Sequence, residues 1–121
     1  MVKLESLKKS YQFKRTLKEK KVHSDFFSIF ATKNFYKPKY KSNLLISFVM
    51  KKKIGNAVKR NKIRRKLKAI VQKLLKKRGA ISKDYTYIVF GKSNAYTQKQ
   101  IVLMPLMEKS FNKLKDKWLI Y

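Results

Sequence analysis

The chain has 121 residues, of which 33 are lysine or arginine and 6 are aspartate or glutamate, so its formal net charge is +27 at pH 7. Hydrophobic residues make up 44% of the sequence, enough for one folded domain over residues 1–121 rather than a disordered polycation. The absence of cysteine excludes disulfides, thiolate metal sites and a cysteine nucleophile. The charge indicates a polyanionic partner. Nucleic acid fits it better than a membrane, because no apolar run is long enough to span a bilayer.

Side chains that could carry out catalysis are scarce. The one histidine is His23, and the six carboxylates are spread from Glu5 to Asp116. A two-metal nuclease needs several carboxylates that converge on its ions, and this spacing does not predict such a cluster. His23 and Asp25 would share one face of a strand, but we interpret them as surface residues. We therefore expect neither a catalytic residue nor a metal site in the protein.

The first half of the chain predicts a helix followed by strands. Phe13 and Leu17 lie four residues apart within residues 10–20, which indicates a short amphipathic helix with Ser10 as its candidate N-cap. Residues 26–32 alternate, as in a strand with apolar contacts on both faces. Residues 33–43 predict a loop, and its aromatics interleaved with lysines are typical either of a stacking surface for single-stranded nucleic acid or of a hairpin loop packed on the sheet edge.

Two further strands flank a long basic helix. Residues 44–50 predict a buried central strand, and residues 84–90 predict a third strand. Between them, residues 56–78 predict a helix that Asn56 caps and Gly79 ends. One face of this helix is apolar and should pack on the sheet; it consists of Ile63, Leu67, Ile70 and Leu74. The outer face is nearly all cationic, which costs stability unless phosphates approach it.

The last part of the chain predicts a core-facing helix, which begins with a capping box at residues 97–100. Its apolar positions recur at spacings of three and four: Ile101, Met104, Met107, Phe111, Leu114 and Trp118. Pro105 interrupts the pattern, which predicts either a kink or the start of the main part of the helix.

The entry to the basic helix reads as a phosphate-binding unit. Gly55 allows a turn, Asn56 caps the helix, and the free backbone amides make an anion site beside Lys52 and Lys53. The side chains that follow and can contact phosphates are Arg60, Asn61, Arg64, Arg65 and Lys68. From these residues alone RNA and DNA fit equally well. A ribosomal or nucleoid protein, a protein-only endonuclease and a membrane-surface protein are the alternatives.

Residues 52–65 carry a more specific pattern, Lys-Lys-x-Gly-Asn-Ala-Val followed by Arg-Asn-x-x-Arg-Arg. It resembles the conserved segment of the protein component of bacterial ribonuclease P. Leu7-Lys8-Lys9 with Phe13, and the strand that begins near Asp84, resemble other parts of the same family. The chain departs from the family pattern at Lys51, at Leu17, and at Lys68-Ala69.

This resemblance implies a two-layer α/β sandwich, in which helices cover one side of a small mixed sheet and a left-handed βαβ crossover passes through the basic helix. It also implies a function. The protein would be an accessory subunit of a ribonucleoprotein endoribonuclease, binding the catalytic RNA and precursor tRNA while the RNA removes the 5′ leader by Mg²⁺-dependent hydrolysis. The RNA and the substrate, not the protein, would hold the Mg²⁺. We expect a bacterial cytoplasmic protein with no membrane partner and no small-molecule cofactor.

The resemblance assigns two surfaces to the chain. The surface for the catalytic RNA consists of Lys52, Lys53, Asn56, Arg60, Asn61, Arg64, Arg65 and Lys68. The cleft for the single-stranded leader contains Phe13, Leu17 and Phe30. The family counterparts that match are those of Arg60, Asn61, Arg64, Arg65 and Phe13, whereas Leu17 and Lys68 stand where the chain departs from the family pattern.

Overall fold

The computed structural model describes residues 3–35 and 43–119, with side chains described up to residue 115. Its strands are β1 (Lys3–Glu5), β2 (Lys20–His23), β3 (Phe27–Lys33), β4 (Asn43–Val49) and β5 (Tyr85–Gly91). Its α-helices are α1 (Ser10–Lys18), α2 (Ala57–Leu74) and α3 (Gln100–Leu119), and short 3₁₀ turns occur at Lys52–Ile54 and Ser93–Tyr96. Most of the loop predicted over residues 33–43 lies outside the described residues, so its proposed stacking role stays a prediction.

The five strands form one mixed sheet in the order β1-β4-β5-β3-β2. β4 and β5 are parallel neighbours joined through α2, with Ile46 opposite Tyr87. β5 also pairs antiparallel with β3, where Phe27 lies opposite Gly91. The mixed sheet and its helical crossover confirm the predicted fold class. β2, an edge strand that pairs with β3, was not predicted, because its sequence Lys-Lys-Val-His offers only Val22 to the core.

One face of the sheet packs against α2 and α3 and forms the main core. Alternate residues of β3 supply Phe27, Ile29 and Ala31, each fully buried. The α2 stripe expected to face the sheet is buried there in full, which confirms that prediction. From α3, Phe111 meets Tyr87 edge to face with ring centroids 5.0 Å apart. We call this side of the sheet the core face.

α1 packs on the opposite face of the sheet, so the prediction that helices cover one side only is wrong. Ser28, Thr32 and Thr86 point to this second face and are almost completely buried. The residues of α1 that are buried toward it are Gln12 and Thr16. Polar contacts accompany the buried side chains of Leu7 and Ile88 here: the backbone N–H of Leu7, just before α1, donates to Ser47 Oγ at 2.8 Å, and within α1 the Thr16 hydroxyl donates to the Gln12 carbonyl.

Helix boundaries differ from the predictions at the start of α1 and at the end of α2. Lys9, not Ser10, is the N-cap of α1, and the Gln12 side chain accepts from the backbone N–H groups of Lys8 and Lys9. α2 ends at Leu74 instead of continuing to residue 78. The reason is that the following turn buries Ala80 and Ile81 in the core, which a straight helix would carry away from it.

α3 begins at Gln100 and runs through Pro105 to Leu119. Its core stripe contains Leu103, Met107, Phe111 and Leu114, all fully buried. Ile101, predicted to face the core, is 79% exposed, so that assignment was wrong. The side chain of Trp118 lies outside the described part of the chain.

Candidate nucleic-acid interface

The flank of α2 that points away from α3 carries an arginine face, by which we mean Arg60, Asn61, Arg64, Arg65 and Lys68. Asn61, Arg65 and Lys68 are exposed, whereas Arg60 and Arg64 are partly buried. Arg64 Nη1 donates to Asn61 Oδ1 at 2.6 Å, which fixes the guanidinium against the helix. Within the described residues, no carboxylate lies within 4.0 Å of any cation on this face. These charges are therefore open to an external anion.

Arg60 on this face carries a hydrogen-bond donor that the described residues leave without an acceptor. Its Nε atom is buried and has no hydrogen-bond partner among the described residues. A buried donor without a partner costs about 1–3 kcal/mol, more when it is charged. An approaching phosphate could bind the rest of the guanidinium and offset part of that cost.

The other flank of α2 is also cationic, but the protein itself uses these charges. Lys66 Nζ donates to the backbone carbonyls of Ala95 and Tyr96, both at 2.9 Å, and to that of Gln98 at 2.5 Å. Burial, together with the neighbouring ammonium of Lys62, holds the pKa of Lys66 below its ordinary value. The sequence predicted a nearly all-cationic outer face and gave Lys66 no role of its own; the structure shows that this flank ties α2 to the 3₁₀ turn at Ser93–Tyr96.

Lys59 and Lys62 lie on the same flank of α2 as Lys66, and both also make contacts within the protein. Lys59 Nζ donates to Ser93 Oγ at 3.0 Å. Both ammonium groups also lie over the ring of Tyr96, at 5.3 and 4.9 Å from its centroid. These contacts hold the helix in a fixed orientation and leave the arginine face as the cationic surface of α2 that is free of such ties.

The N-terminus of α2 has the arrangement that its sequence predicted. Gly55 adopts φ +153°, a conformation that favours glycine. Asn56 then caps the helix, its side-chain oxygen accepting from the Lys59 backbone N–H at 2.9 Å. Lys52 and Lys53 form the exposed turn just before it. The predicted RNA-binding residues are thus brought together along one end and one flank of a single helix.

An open cleft of about 670 Å³ lies on the α1 side of the sheet. One wall is the end of α1, and the opposite wall is the lysine-rich segment before α2. The floor is the sheet surface formed by β2, β3 and β5. The residues lining it are Leu17, His23, Ser28, Phe30, Lys51, Lys53, Ile54, Phe90, Gly91, Lys92 and Ser93.

Aromatic rings occupy the floor of this cleft and cations its rim. Phe30 and Phe90 meet edge to face with centroids 5.4 Å apart. The Lys51 ammonium lies over the Phe90 ring at 5.6 Å, and Lys53 and Lys92 also line the cleft. An aromatic floor beneath a cationic rim is the combination that binds single-stranded nucleic acid with little sequence preference.

The structure places two of the three predicted cleft residues in this cleft. Phe30 and the 39%-exposed Leu17 line it. Phe13 lies one turn earlier on the same side of α1 but is partly buried and, among the described residues, is not part of the lining. Contact of all three residues with a leader stays a prediction.

Sequence reasoning missed several cleft residues. Phe90 was assigned only to a strand, and His23 was interpreted as a surface residue near Asp25. His23 is exposed, but its Nδ1 bonds Ser28 Oγ at 2.7 Å. His23, Ser28 and Phe90 form one row across the sheet. The sequence could have indicated them only if the pairing of β2, β3 and β5 had been predicted with its register.

Nowhere in residues 3–35 and 43–115 do three His, Asp or Glu side chains converge as ligands for a metal ion. Across the described residues, no helix combines the length and apolar character needed to cross a membrane.

Known proteins share both the sequence and the fold described above. The family model for Ribonuclease P matches residues 1–115. The Ribonuclease P protein component of Mycoplasma capricolum subsp. capricolum is 29% identical over 109 residues, covering 90% of this chain and 94% of that protein. Its counterpart from Mycoplasma mycoides subsp. mycoides is 35% identical over 83 residues, covering 69% of this chain and 72% of the relative.

A solved structure agrees with these relatives. The Staphylococcus aureus RNase P protein superimposes with a TM-score of 0.69 at 25% identity, covering 91% of this chain and 94% of that one. The family model spans nearly the whole chain and includes the glycine turn, the cap and the arginine face. The resemblance drawn from the motif is thus confirmed, and the chain belongs to the family of bacterial ribonuclease P protein components.

Proposed function

We propose that this protein binds the catalytic RNA of a bacterial ribonuclease P through the arginine face and the N-terminus of α2. Membership of the family makes the protein part of a ribonucleoprotein endoribonuclease that processes tRNA. The observation that carries the finer proposal is that these cations lack acidic partners among the described residues, while the opposite flank of the helix is fastened to the protein. A rigid row of free guanidinium groups suits the phosphates of a folded RNA.

The RNA performs the chemistry in this proposal. Six carboxylates and one histidine in 121 residues give the protein few groups that could hold metal ions or transfer protons. Mg²⁺ is therefore held by the RNA and the substrate, and the protein supplies binding and orientation. The holoenzyme acts in the bacterial cytoplasm.

The cleft binds the 5′ leader of precursor tRNA. Phe30 and Phe90 give two rings on which bases can stack, at about 1–3 kcal/mol for each base. Lys51 and Lys53 neutralise the phosphates that accompany those bases, whereas the Lys92 ammonium donates to the Ser24 backbone carbonyl. Mature tRNA lacks the leader, so the cleft gives preference for the substrate over the product.

The first test measures cleavage of a 5′-labelled precursor tRNA at low Mg²⁺. Three samples are compared: the protein alone, a bacterial ribonuclease P RNA alone, and the two together. We expect efficient leader removal only from the mixture. Cleavage by the protein alone would show an active site in the protein, and failure of folded protein to assist the RNA would refute the subunit role.

The second test separates leader binding from general RNA binding. Phe30→Ala, in a holoenzyme assembled from the variant protein, should weaken binding of precursor tRNA by about 5-fold to 100-fold while leaving mature tRNA nearly unaffected. Tyr11→Ala is the matched control, because Tyr11 is 57% exposed on the opposite flank of α1 and does not line the cleft. Equal losses for precursor and mature tRNA in the Phe30 variant would contradict the assignment of the cleft to the leader.

A further inference from the structure

The leader cleft contains a polar pair that the proposed function does not use. His23 ends edge strand β2, and Ser28 lies directly opposite it on β3. Ser28 is 5% exposed, so its hydroxyl has a fixed position, and it bonds His23 Nδ1 at 2.7 Å. This bond holds an otherwise solvent-exposed imidazole in one orientation.

The bond also determines which nitrogen of His23 can meet a ligand. With Nδ1 engaged by Ser28, the second ring nitrogen, Nε2, has no hydrogen-bond partner among the described residues. A neutral imidazole offers one donor and one acceptor, so Nε2 can form one directed hydrogen bond whichever tautomer is present.

The position of His23 favours contact with a base over contact with a phosphate. Its ring meets Phe30 edge to face, with centroids 5.8 Å apart, so it belongs to the aromatic floor of the cleft. The cations Lys51 and Lys53 belong to the segment before α2 and supply the phosphate-binding groups, whereas Lys92 donates to the Ser24 carbonyl. A nucleotide with its base on Phe30 or Phe90 and its phosphate toward these lysines presents the edge of the base to His23.

We propose that His23 is a specificity-determining residue that hydrogen-bonds the edge of one stacked leader base, and that Ser28 is its positioning residue. This inference rests on the proposed binding of the leader in the cleft. An aromatic floor alone accepts every base, whereas one directed hydrogen bond distinguishes bases by the groups on their edges. At one leader position, the identity of the base should therefore alter affinity.

The experiment pairs protein variants with altered leaders. Holoenzyme is assembled with wild-type protein, His23→Ala, His23→Gln or Ser28→Ala, and Tyr11→Ala serves as the control. Dissociation constants are measured for mature tRNA, for intact precursor tRNA, and for precursors that carry an abasic nucleotide at one leader position at a time. An abasic nucleotide removes the base but keeps the phosphate, so it separates the two kinds of contact.

With wild-type protein, we expect one leader position at which loss of the base weakens binding most. At that position His23→Ala should shrink the penalty for losing the base by about threefold to tenfold, the size of one net hydrogen bond, without changing the penalties elsewhere. His23→Gln should restore part of the effect, because an amide can still bond a base edge. Ser28→Ala should give an intermediate loss, because the ring remains but is no longer held.

Two results would overturn the inference, and they differ from each other. If His23→Ala weakens intact and abasic leaders equally, His23 does not contact a base, although the leader still occupies the cleft. If the wild-type holoenzyme binds precursor and mature tRNA equally, leader binding itself is refuted, and the role of His23 with it. Circular dichroism of each variant checks that the exposed edge strand has kept its fold.

Discussion

Removing two charges from the arginine face should change both the strength of holoenzyme assembly and its dependence on salt. The double variant Arg64→Gln/Arg65→Gln keeps side-chain length and polarity but removes two guanidinium groups. Neither residue lies in the core: Arg65 is exposed, and Arg64 bonds only Asn61 on its own helix among the described residues. We therefore expect little change in folding stability, about 0.5 kcal/mol or less for each site.

The size of the effect follows from the exposure of these groups. Water competes for a half-exposed contact, so we assign about 1 kcal/mol to each, below the about 1.5–3 kcal/mol of a hydrogen bond to a charged group in a protected site. Two contacts then weaken binding to the catalytic RNA by about 30-fold near physiological salt. Each lost phosphate contact also removes about 0.7–0.9 from the slope of log K against log salt, so the slope should flatten by about 1.4–1.8.

The assay is a salt titration of protein binding to a bacterial ribonuclease P RNA, by fluorescence anisotropy or filter retention. Lys109→Gln/Lys113→Gln is the matched control, because both lysines are exposed on α3 and the variant has the same net charge. Its slope should stay close to that of the wild type. Equal flattening in both variants would show that overall charge, not the arginine face, governs binding, and an unchanged slope in the arginine variant would refute the assignment outright.

Three further predictions concern the scaffold that holds the site. Gly91→Ala should destabilise the protein by about 1–3 kcal/mol in urea unfolding, because the added methyl would overlap Met50 and lie 2.8 Å from Ile63 Cγ2; wild-type stability would contradict this packing. Lys66→Met should cost about 1.5–3 kcal/mol, because three backbone carbonyls lose their donor, and a Tm equal to that of wild type would show that water replaces the ammonium. Asn56→Ala should lower the free energy of unfolding by about 1 kcal/mol through loss of the cap, whereas Asn56→Asp should retain it.

The elements that could be predicted from the sequence are those whose pattern repeats. α2 shows its apolar stripe over about three turns, and β4 is a mostly apolar run, so the bounds of both were predicted to within a few residues. β2 could not be predicted, because a four-residue edge strand needs only one core contact, at Val22. The end of α2 is decided by the burial of Ala80 and Ile81, which depends on the folded core and not on local propensity.

The candidate site also contains residues that could be predicted from the sequence and residues that could not. The turn, the cap and the arginine face are local in sequence and could be predicted from one segment. Lys66 and Arg65 are adjacent cations on one helix, and only the position of the Ser93–Tyr96 turn shows that Lys66 is structural. The cleft brings together Phe30 and Phe90, which lie on strands far apart in the chain. Phe90 could therefore be assigned to the cleft only once the register of the sheet was known.

The position of β5 bears on how the chain reaches its folded state. β5 is the last strand in the sequence but the central strand of the sheet, paired with β4 on one side and β3 on the other. β3 and β4 follow each other in the chain yet share no edge, so neither can complete its pairing until residues 85–91 have been synthesised. Long-range pairing of this kind slows folding, because the entropy of closing a large loop is lost before the contacts that stabilise it form. On the ribosome, the basic helix therefore emerges ahead of the strand that completes the sheet on which it packs.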